Sequence, residues 1–433
     1  MSSVTRVDSA ELALHGGAKT IRQPFRRYNP IGEEEIAAVT EVLRSGVLSQ
    51  FIGAWHPDFY GGPKVQEFEA AARTFFGVEH AITVNSWTSG LIAAVGAAGI
   101  EPGDEIIVTP WTMSASATAI VMWNAIPVFA DIEPTLFCLD PRSVEANITE
   151  HTRAIMSVDI FGQSADVPAL QALARAHNLK LISDTAQAPG SKVGQRYTGT
   201  LGDIGGYSLN YHKHIHTGEG GILVTDDAEL AERMRLIRNH AEAVVGPKGT
   251  TDLSNMLGYN FRLGEIESAI GIEQLRKLPQ QAASRERAAQ RLSAGLADLP
   301  GLKVPEVRAG CTHVYYVYPL IVDPKVTGVS RELLKKALEA EGVAGIGAGY
   351  QNLHRMPMYQ RKIAYGRSGF PWTAPVCRRE VDYRKGICPV AERLHDETFM
   401  SIALCMFEYG DAEIEQLIAA FRKVWAGLDR LRA

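Results

Sequence analysis

The chain has 433 residues, 46% of them hydrophobic and 21% charged, with 44 Lys plus Arg against 49 Asp plus Glu and a net charge of −5. At roughly 150 residues per domain this allows about three domains with ample core material, and the charge excludes a global basic field for nucleic acid or anionic lipid. Five cysteines (Cys138, Cys311, Cys377, Cys388, Cys405), odd in number and never spaced C-x-x-C, argue against a disulfide scaffold or structural zinc and for a reducing, cytoplasmic setting.

The first thirty residues lack an apolar run behind a basic start, so no signal peptide is expected, and they read as an N-terminal arm. Helical apolar spacing covers Gly32–Arg44 and Lys64–Phe76. The hydrophobic stretch Ala81–Ile100 is broken by Asn85, Ser86, Trp87, Thr88, Ser89 and Gly90. A bilayer span needs about 20 predominantly apolar residues, so a strand, a polar turn and a helix are predicted instead. Short β-branched runs follow at 81–85, 105–110, 127–132, 154–161, 180–185, 204–209 and 221–225, with helical stretches at Ser89–Ala98, Ser114–Trp123 and Val167–His177. Strands alternating with helices predict an α/β fold with a mostly parallel sheet buried on both faces. Beyond about residue 260 come a helical stretch, Arg262–Leu299, with an interruption expected at Pro279, and an alternating run over 312–322. Helices at Ser330–Glu341 and Asp411–Leu431 complete the chain. The division read from this is an arm over 1–30, a large unit over 31–272 and a smaller α+β unit over 273–433.

The densest stretch chemically is 180–221. It puts Asp184 at a strand's carboxyl end, Gln187 three residues on, and Lys213 beyond the next strand. Ligands of open α/β sheets bind outside the carboxyl ends of the strands. An acid and a lysine placed there suit pyridoxal phosphate, the lysine joined to it as a Schiff base and the carboxylate paired with its ring nitrogen. Spacing alone equally allows an Asx-turn aspartate and a surface lysine. His212, His214 and His216 alternate around Lys213 and on a strand would share a face. No carboxylate or Cys cluster accompanies them, so no metal is expected. Gly345, Gly347 and Gly349 do not satisfy G-x-G-x-x-G.

A resemblance selects between these readings. DTAQAPGS (184–191), GDIGGYSLNYHKHIHTGEGG (202–221), GYNFRLGEIESAIGIEQL (258–275), NSWTSGLIAAVGAAGIEPGDEIIV (85–108) and CPVAERL (388–394) resemble, in order, the signature blocks of the DegT/StrS-type sugar aminotransferases. The resemblance implies a fold-type I pyridoxal-phosphate enzyme, with a seven-stranded type of sheet, usually a homodimer with a shared site. It would move an amino group from L-glutamate or L-glutamine to a keto-sugar, nucleotide-linked or phosphorylated, or to a keto-cyclitol, in amino-sugar or antibiotic biosynthesis. The pyridoxamine form would be the intermediate, and neither nucleic acid nor membrane a partner. It further implies that Lys213 is the Schiff-base lysine, Asp184 the acid on the ring nitrogen, and Gln187 the amide beside the ring. Ser208 and Thr88 would bind the phosphate, together with the Ser86–Trp87 backbone at a helix N-terminus, and Asn260 would reach the phosphate from the partner subunit. Rivals are a pyridoxamine-phosphate-dependent dehydratase, which would not need the lysine, and an inactive regulatory homologue.

Three features depart from the family pattern. The usual S-G-T or S-A-T cradle reads Ser86-Trp87-Thr88. Trp87 is expected to keep an ordinary backbone, its ring either walling the substrate pocket or packing outward. Where the family often stacks an aromatic on the cofactor, Met113 follows Thr112, with Trp111 as a possible substitute. The loop Ser49–Pro63 is longer than usual, and its Trp55, His56, Phe59 and Tyr60 read as a lid or a dimer contact. The basic, aromatic segment Tyr350–Trp372 offers Arg355, Arg361, Lys362 and Arg367 to a sugar phosphate, or else is a solvated loop.

Overall fold

The structure, a computed structural model, describes residues 11–432, so the first ten residues of the expected arm lie outside the described residues. Every apolar run read between residues 80 and 225 forms a strand. In chain order these are β1 (His80–Val84), β2 (Glu105–Val108), β3 (Ile126–Phe129), β4 (Thr152–Val158) and β5 (Lys180–Asp184). After a short hairpin of β6 (Lys192–Val193) and β7 (Arg196–Tyr197) come β8 (Ile204–Ser208) and β9 (Gly221–Thr225). Seven of them make one sheet in the order β1-β9-β8-β5-β4-β2-β3. The pairs β2–β3, β2–β4, β4–β5 and β5–β8 are parallel. Only β9 runs against its neighbours β1 and β8, so the other six strands end on one edge.

Both faces of this sheet are covered, as the near-continuous apolar runs require. Successive residues of β9 divide between two cores: Leu223 enters the larger one with Ile82, Leu91 and Ile182. Ile222 and Val224 enter the other, with Phe68 and Phe76 of α2 (Pro63–Phe76). The helix after β1, Trp87–Ala97, lies on the larger-core side with nearly every residue buried. Its N-terminus therefore sits at the edge where the strands end.

A long helix, Glu265–Leu296, runs unbroken through Pro279, against the expected interruption. Proline removes one backbone bond and crowds the preceding turn. Here Ile272, Leu275 and Leu278 are anchored in the α2-side core, and Ala288, Ala289, Leu292 and Leu296 in a third core. Burial on both sides of Pro279 holds the two halves as one rod. The third core belongs to an antiparallel sheet of β10 (Leu302–Lys303), β11 (Tyr318–Val322), β12 (Ile346–Ala348) and β13 (Phe399–Ile402), ordered β10-β11-β13-β12. The expected strand over 312–322 is realised only in its second half. Tyr315 takes φ 50°, which ends extended pairing, and the first half crosses to the large sheet's loops through bridges of Cys311 with Val193 and His313 with Gln163. The terminal helical stretch divides at Gly427 into Asp411–Ala426 and Leu428–Arg432. The cysteines are all free, and no described helix is long and apolar enough to cross a membrane.

Candidate active site

The edge where the parallel strands end holds a cavity of about 180 Å³ lined by Trp87, Thr88, Met113, Asp184, Gln187, Ser208 and Lys213, among others. Its first wall comes from β1. The chain leaves Val84, turns at Asn85-Ser86 and starts the 87–97 helix, with Ser86 as N-cap accepting from the Ser89 amide at 3.1 Å. The Ser86 hydroxyl is thus engaged by its own helix. The next amides, Trp87 and Thr88, have no acceptor within the helix, and with the positive end of its dipole they favour an anion.

Asp184, the last residue of β5, is buried and held from two sides. Trp87 Nε1 donates to Oδ1 at 2.7 Å and the Ser116 hydroxyl donates to Oδ2 at 2.7 Å, with the Ala186 amide at 3.3 Å from Oδ1. Trp87 lines the cavity and is only 5% exposed, so its ring does not pack outward. Its backbone is ordinary, the first residue of a helix, and its indole turns inward to Asp184.

From β8 the chain passes Ser208, whose Oγ accepts from the Asn210 amide at 3.3 Å, into a turn closed by Lys213 N to Asn210 O and Thr217 N to Leu209 O, both 3.0 Å. The three histidines lie in this turn and not on a strand, so they do not share a face. His214 is buried, with Nε2 against Val314 O at 2.7 Å. No cluster of three or more metal-ligating side chains exists among the described residues. Lys213 itself is buried, 7% exposed. Its Nζ lies 4.3 Å from the centroid of the Tyr316 ring and forms no ion pair among the described residues. Burial pulls its pKa down from 10.5 to about 8, opposed by attraction to Asp184. Burial, and then the neighbouring Lys213, hold His212 down at about 4.

Gln187 is fixed at both ends: its Oε1 accepts from the Phe161 amide at 2.9 Å, and its Nε2 donates to the Tyr350 hydroxyl at 3.2 Å. Tyr350 also lines a second cavity, of about 560 Å³, with Asn352, Arg355, Met356 and His395. Of the four basic residues in 350–372, Arg355 alone faces this cavity, tied to Asp396 at 2.7 Å. Lys362 pairs with Glu380 at 3.1 Å, while Arg361 and Arg367 are exposed.

Met113 lines the cavity, 56% exposed, whereas Trp111 is fully buried behind it, edge-on to Phe399. Asn260 is exposed and does not line the cavity of its own chain. The 49–63 segment does not line it either. Phe59 is buried, and Tyr60 donates to Glu232 at 3.0 Å. Ser116, Asn210 and Glu219 were missed as site residues, and Tyr350, inside the segment offered to the sugar, was not read as a partner of Gln187. Ser116 and Tyr350 come from elsewhere in the chain and carry no spacing signal. Asn210 and Glu219 lie inside the motif around Lys213, joined at 2.8 Å.

Comparison with known proteins matches residues 29–406 to the DegT/DnrJ/EryC1/StrS aminotransferase family. The spore coat polysaccharide biosynthesis protein SpsC of Bacillus subtilis is 37% identical over 347 residues, 79% of this chain and 86% of that protein. The L-glutamine:2-deoxy-scyllo-inosose aminotransferase of Streptoalloteichus tenebrarius is 33% identical over 443 residues, covering 98% of this chain and 99% of that one. Among solved structures, an aminotransferase from Psychrobacter cryohalolentis superimposes with a TM-score of 0.78 at 27% identity, over 94% of this chain and all of that one.

Proposed function

The chain belongs to the DegT/DnrJ/EryC1/StrS aminotransferase family, and we propose on that premise that it is a pyridoxal-phosphate aminotransferase acting on a keto-cyclitol or keto-sugar, with Lys213 as its reacting amine. The observation that carries this reading is the buried, unpaired Lys213 facing the same cavity as Asp184. The donor set fits the cofactor. A carboxylate has about four lone-pair sites, and Asp184 spends three on Trp87, Ala186 and Ser116, leaving one on Oδ2 for a ring N–H. The Trp87 and Thr88 amides, with the Thr88 and Ser208 hydroxyls, supply donors for a phosphate.

When bound, pyridoxal phosphate supplies an aldehyde and an electron-withdrawing ring that carry the amino group from donor to acceptor. The chain's residues do the rest. Asp184 holds the proton on the ring nitrogen. Lys213, kept partly neutral near pH 8 by burial, takes a proton from the carbon bearing the amino group and returns one to its counterpart. Gln187, locked between Phe161 and Tyr350, flanks the ring. Met113 offers an apolar side chain at the cavity wall.

For the acceptor, the end-to-end match to an L-glutamine:2-deoxy-scyllo-inosose aminotransferase supports a keto-cyclitol, with L-glutamine as donor. The hydroxyl-binding groups of Tyr350 and Asn352 in the adjoining cavity suit such a ring. We further propose a homodimer in which Asn260 serves the partner's site. Purified protein is expected to be yellow and bleached by borohydride, and Lys213→Ala to lose both the colour and at least about a thousandfold of its amino transfer from labelled glutamine. A colourless wild type indifferent to added pyridoxal phosphate would sink the reading.

A further inference from the structure

Trp87 stands where the resembling motif has a residue of one or no side-chain carbon, and the fold makes room for it. A Cβ placed on Gly206 would lie 2.3 Å from its Cζ3, and one on Gly90 2.8 Å from its Cε3. The indole therefore packs against two glycines at which a side chain would collide with it. In that seat Nε1 donates to Asp184 Oδ1 at 2.7 Å. From the other side Ser116 holds Oδ2 at the same distance.

We propose that Trp87 is a positioning residue for Asp184: its indole N–H pins Oδ1 so that Oδ2 keeps its free lone pair towards the cavity. The proposal rests on the pyridoxal-phosphate reading above. A carboxylate on a strand end turns about its last side-chain bond, which has a broad, two-fold profile. Two donors on opposite oxygens remove that freedom. Without the indole, Oδ1 retains only the Ala186 amide at 3.3 Å, and Ser116 alone would set the carboxylate plane. A charge-assisted hydrogen bond is stronger than a neutral one, so its loss is felt at whatever the other oxygen holds.

The rival explanation is that Trp87 merely fills space between the helix and the sheet. Trp87→Phe separates the two, because it keeps an aromatic ring against the two glycines and deletes the N–H. Cofactor-free wild type and W87F are titrated with pyridoxal phosphate, and the visible absorbance of each loaded protein is followed against pH. The expected result is about tenfold weaker uptake by W87F and a displacement of the absorbance midpoint by about one pH unit. A space-filling role would leave that midpoint where it is. W87F equal to wild type in both readings overturns the proposal and leaves the aminotransferase reading standing. A wild type that takes up no pyridoxal phosphate overturns both.

Should W87F fail to fold, the indole N–H resonances of cofactor-free wild type and Asp184→Ala decide. One of the six tryptophan signals is expected to move strongly when its acceptor is removed. An unchanged set overturns the proposal.

Discussion

Lys213 is a base because of where it is buried, and this has a measurable consequence. An ordinary lysine stays protonated until about pH 10.4, but burial brings this one down to about 8. Only the neutral amine attacks an aldehyde, so the rate of covalent uptake of pyridoxal phosphate by the cofactor-free protein should rise about tenfold per pH unit below 8 and level off above it. Stopped-flow absorbance between pH 6 and about 10 checks this, and a rate still climbing steeply at the upper end would contradict the depressed value. The sign of the linked stability follows. Between about 8 and 10.4 the unfolded chain holds a proton that the native one has released, so this group makes the cofactor-free fold more stable as pH rises through that window. Asp184, Gln187 and Lys213 were legible in the sequence because each sits at a strand end or in a motif of fixed offsets. The partner of Asp184 was not: Trp87, read as pocket wall or outward filler, is also a hydrogen-bond donor to it, because its ring direction depends on tertiary packing against Gly90 and Gly206. The pairing of Tyr350 with Gln187 stayed hidden for another reason. The Tyr350 hydroxyl reaches Gln187 from 163 residues away, a closeness no local pattern encodes.

Among the elements, α2, β1 and the helix Ala228–Arg238 are joined by one buried ion pair. Arg238, with no exposed surface, donates to Glu69 at 2.6 Å and to Thr83 O at 3.0 Å, while Glu69 also accepts from the Thr83 amide. A buried pair adds little over an apolar pair of the same shape, but breaking it strands a charge. Arg238→Ala should therefore cost about 3–5 kcal/mol, read from the urea midpoint, and a double change of Arg238→Met with Glu69→Leu should recover much of the loss. Recovery absent, with the single change already mild, would mean that the pair is solvated. The strands of the large sheet were legible at this scale because full burial on both faces writes a continuous apolar run. The 265–296 helix and the 312–322 run were misjudged because local rules for proline and for alternation lose to tertiary contacts. Two cores grip the helix on either side of Pro279, and Tyr315, at φ 50°, turns the chain towards the site.

At the scale of the whole molecule the proposed homodimer can be tested through its shared site. Leu43, Leu48, Ile52, Tyr211, Leu253 and Leu257 are each 44–65% exposed, apolar surface that such an interface would cover. Asn260 is exposed and does not line the cavity of its own chain, as the proposed role across that interface requires. The proposed homodimer is two-fold, so each site would combine Lys213 of one subunit with Asn260 of the other. Asn260→Ala and Lys213→Ala should then each be inactive alone yet complement when mixed. In a mixed dimer one site inherits both lesions and the other neither. Random exchange of equal amounts should restore about a quarter of wild-type sites, measured as amino transfer after subunits are dissociated and reassociated. If Asn260 acted within its own chain, every site in the mixture would carry one lesion or the other, and activity would not return at any ratio. Sedimentation of the same mixture shows whether dimers formed, so silence from failed exchange is told apart from silence caused by a site built within one chain.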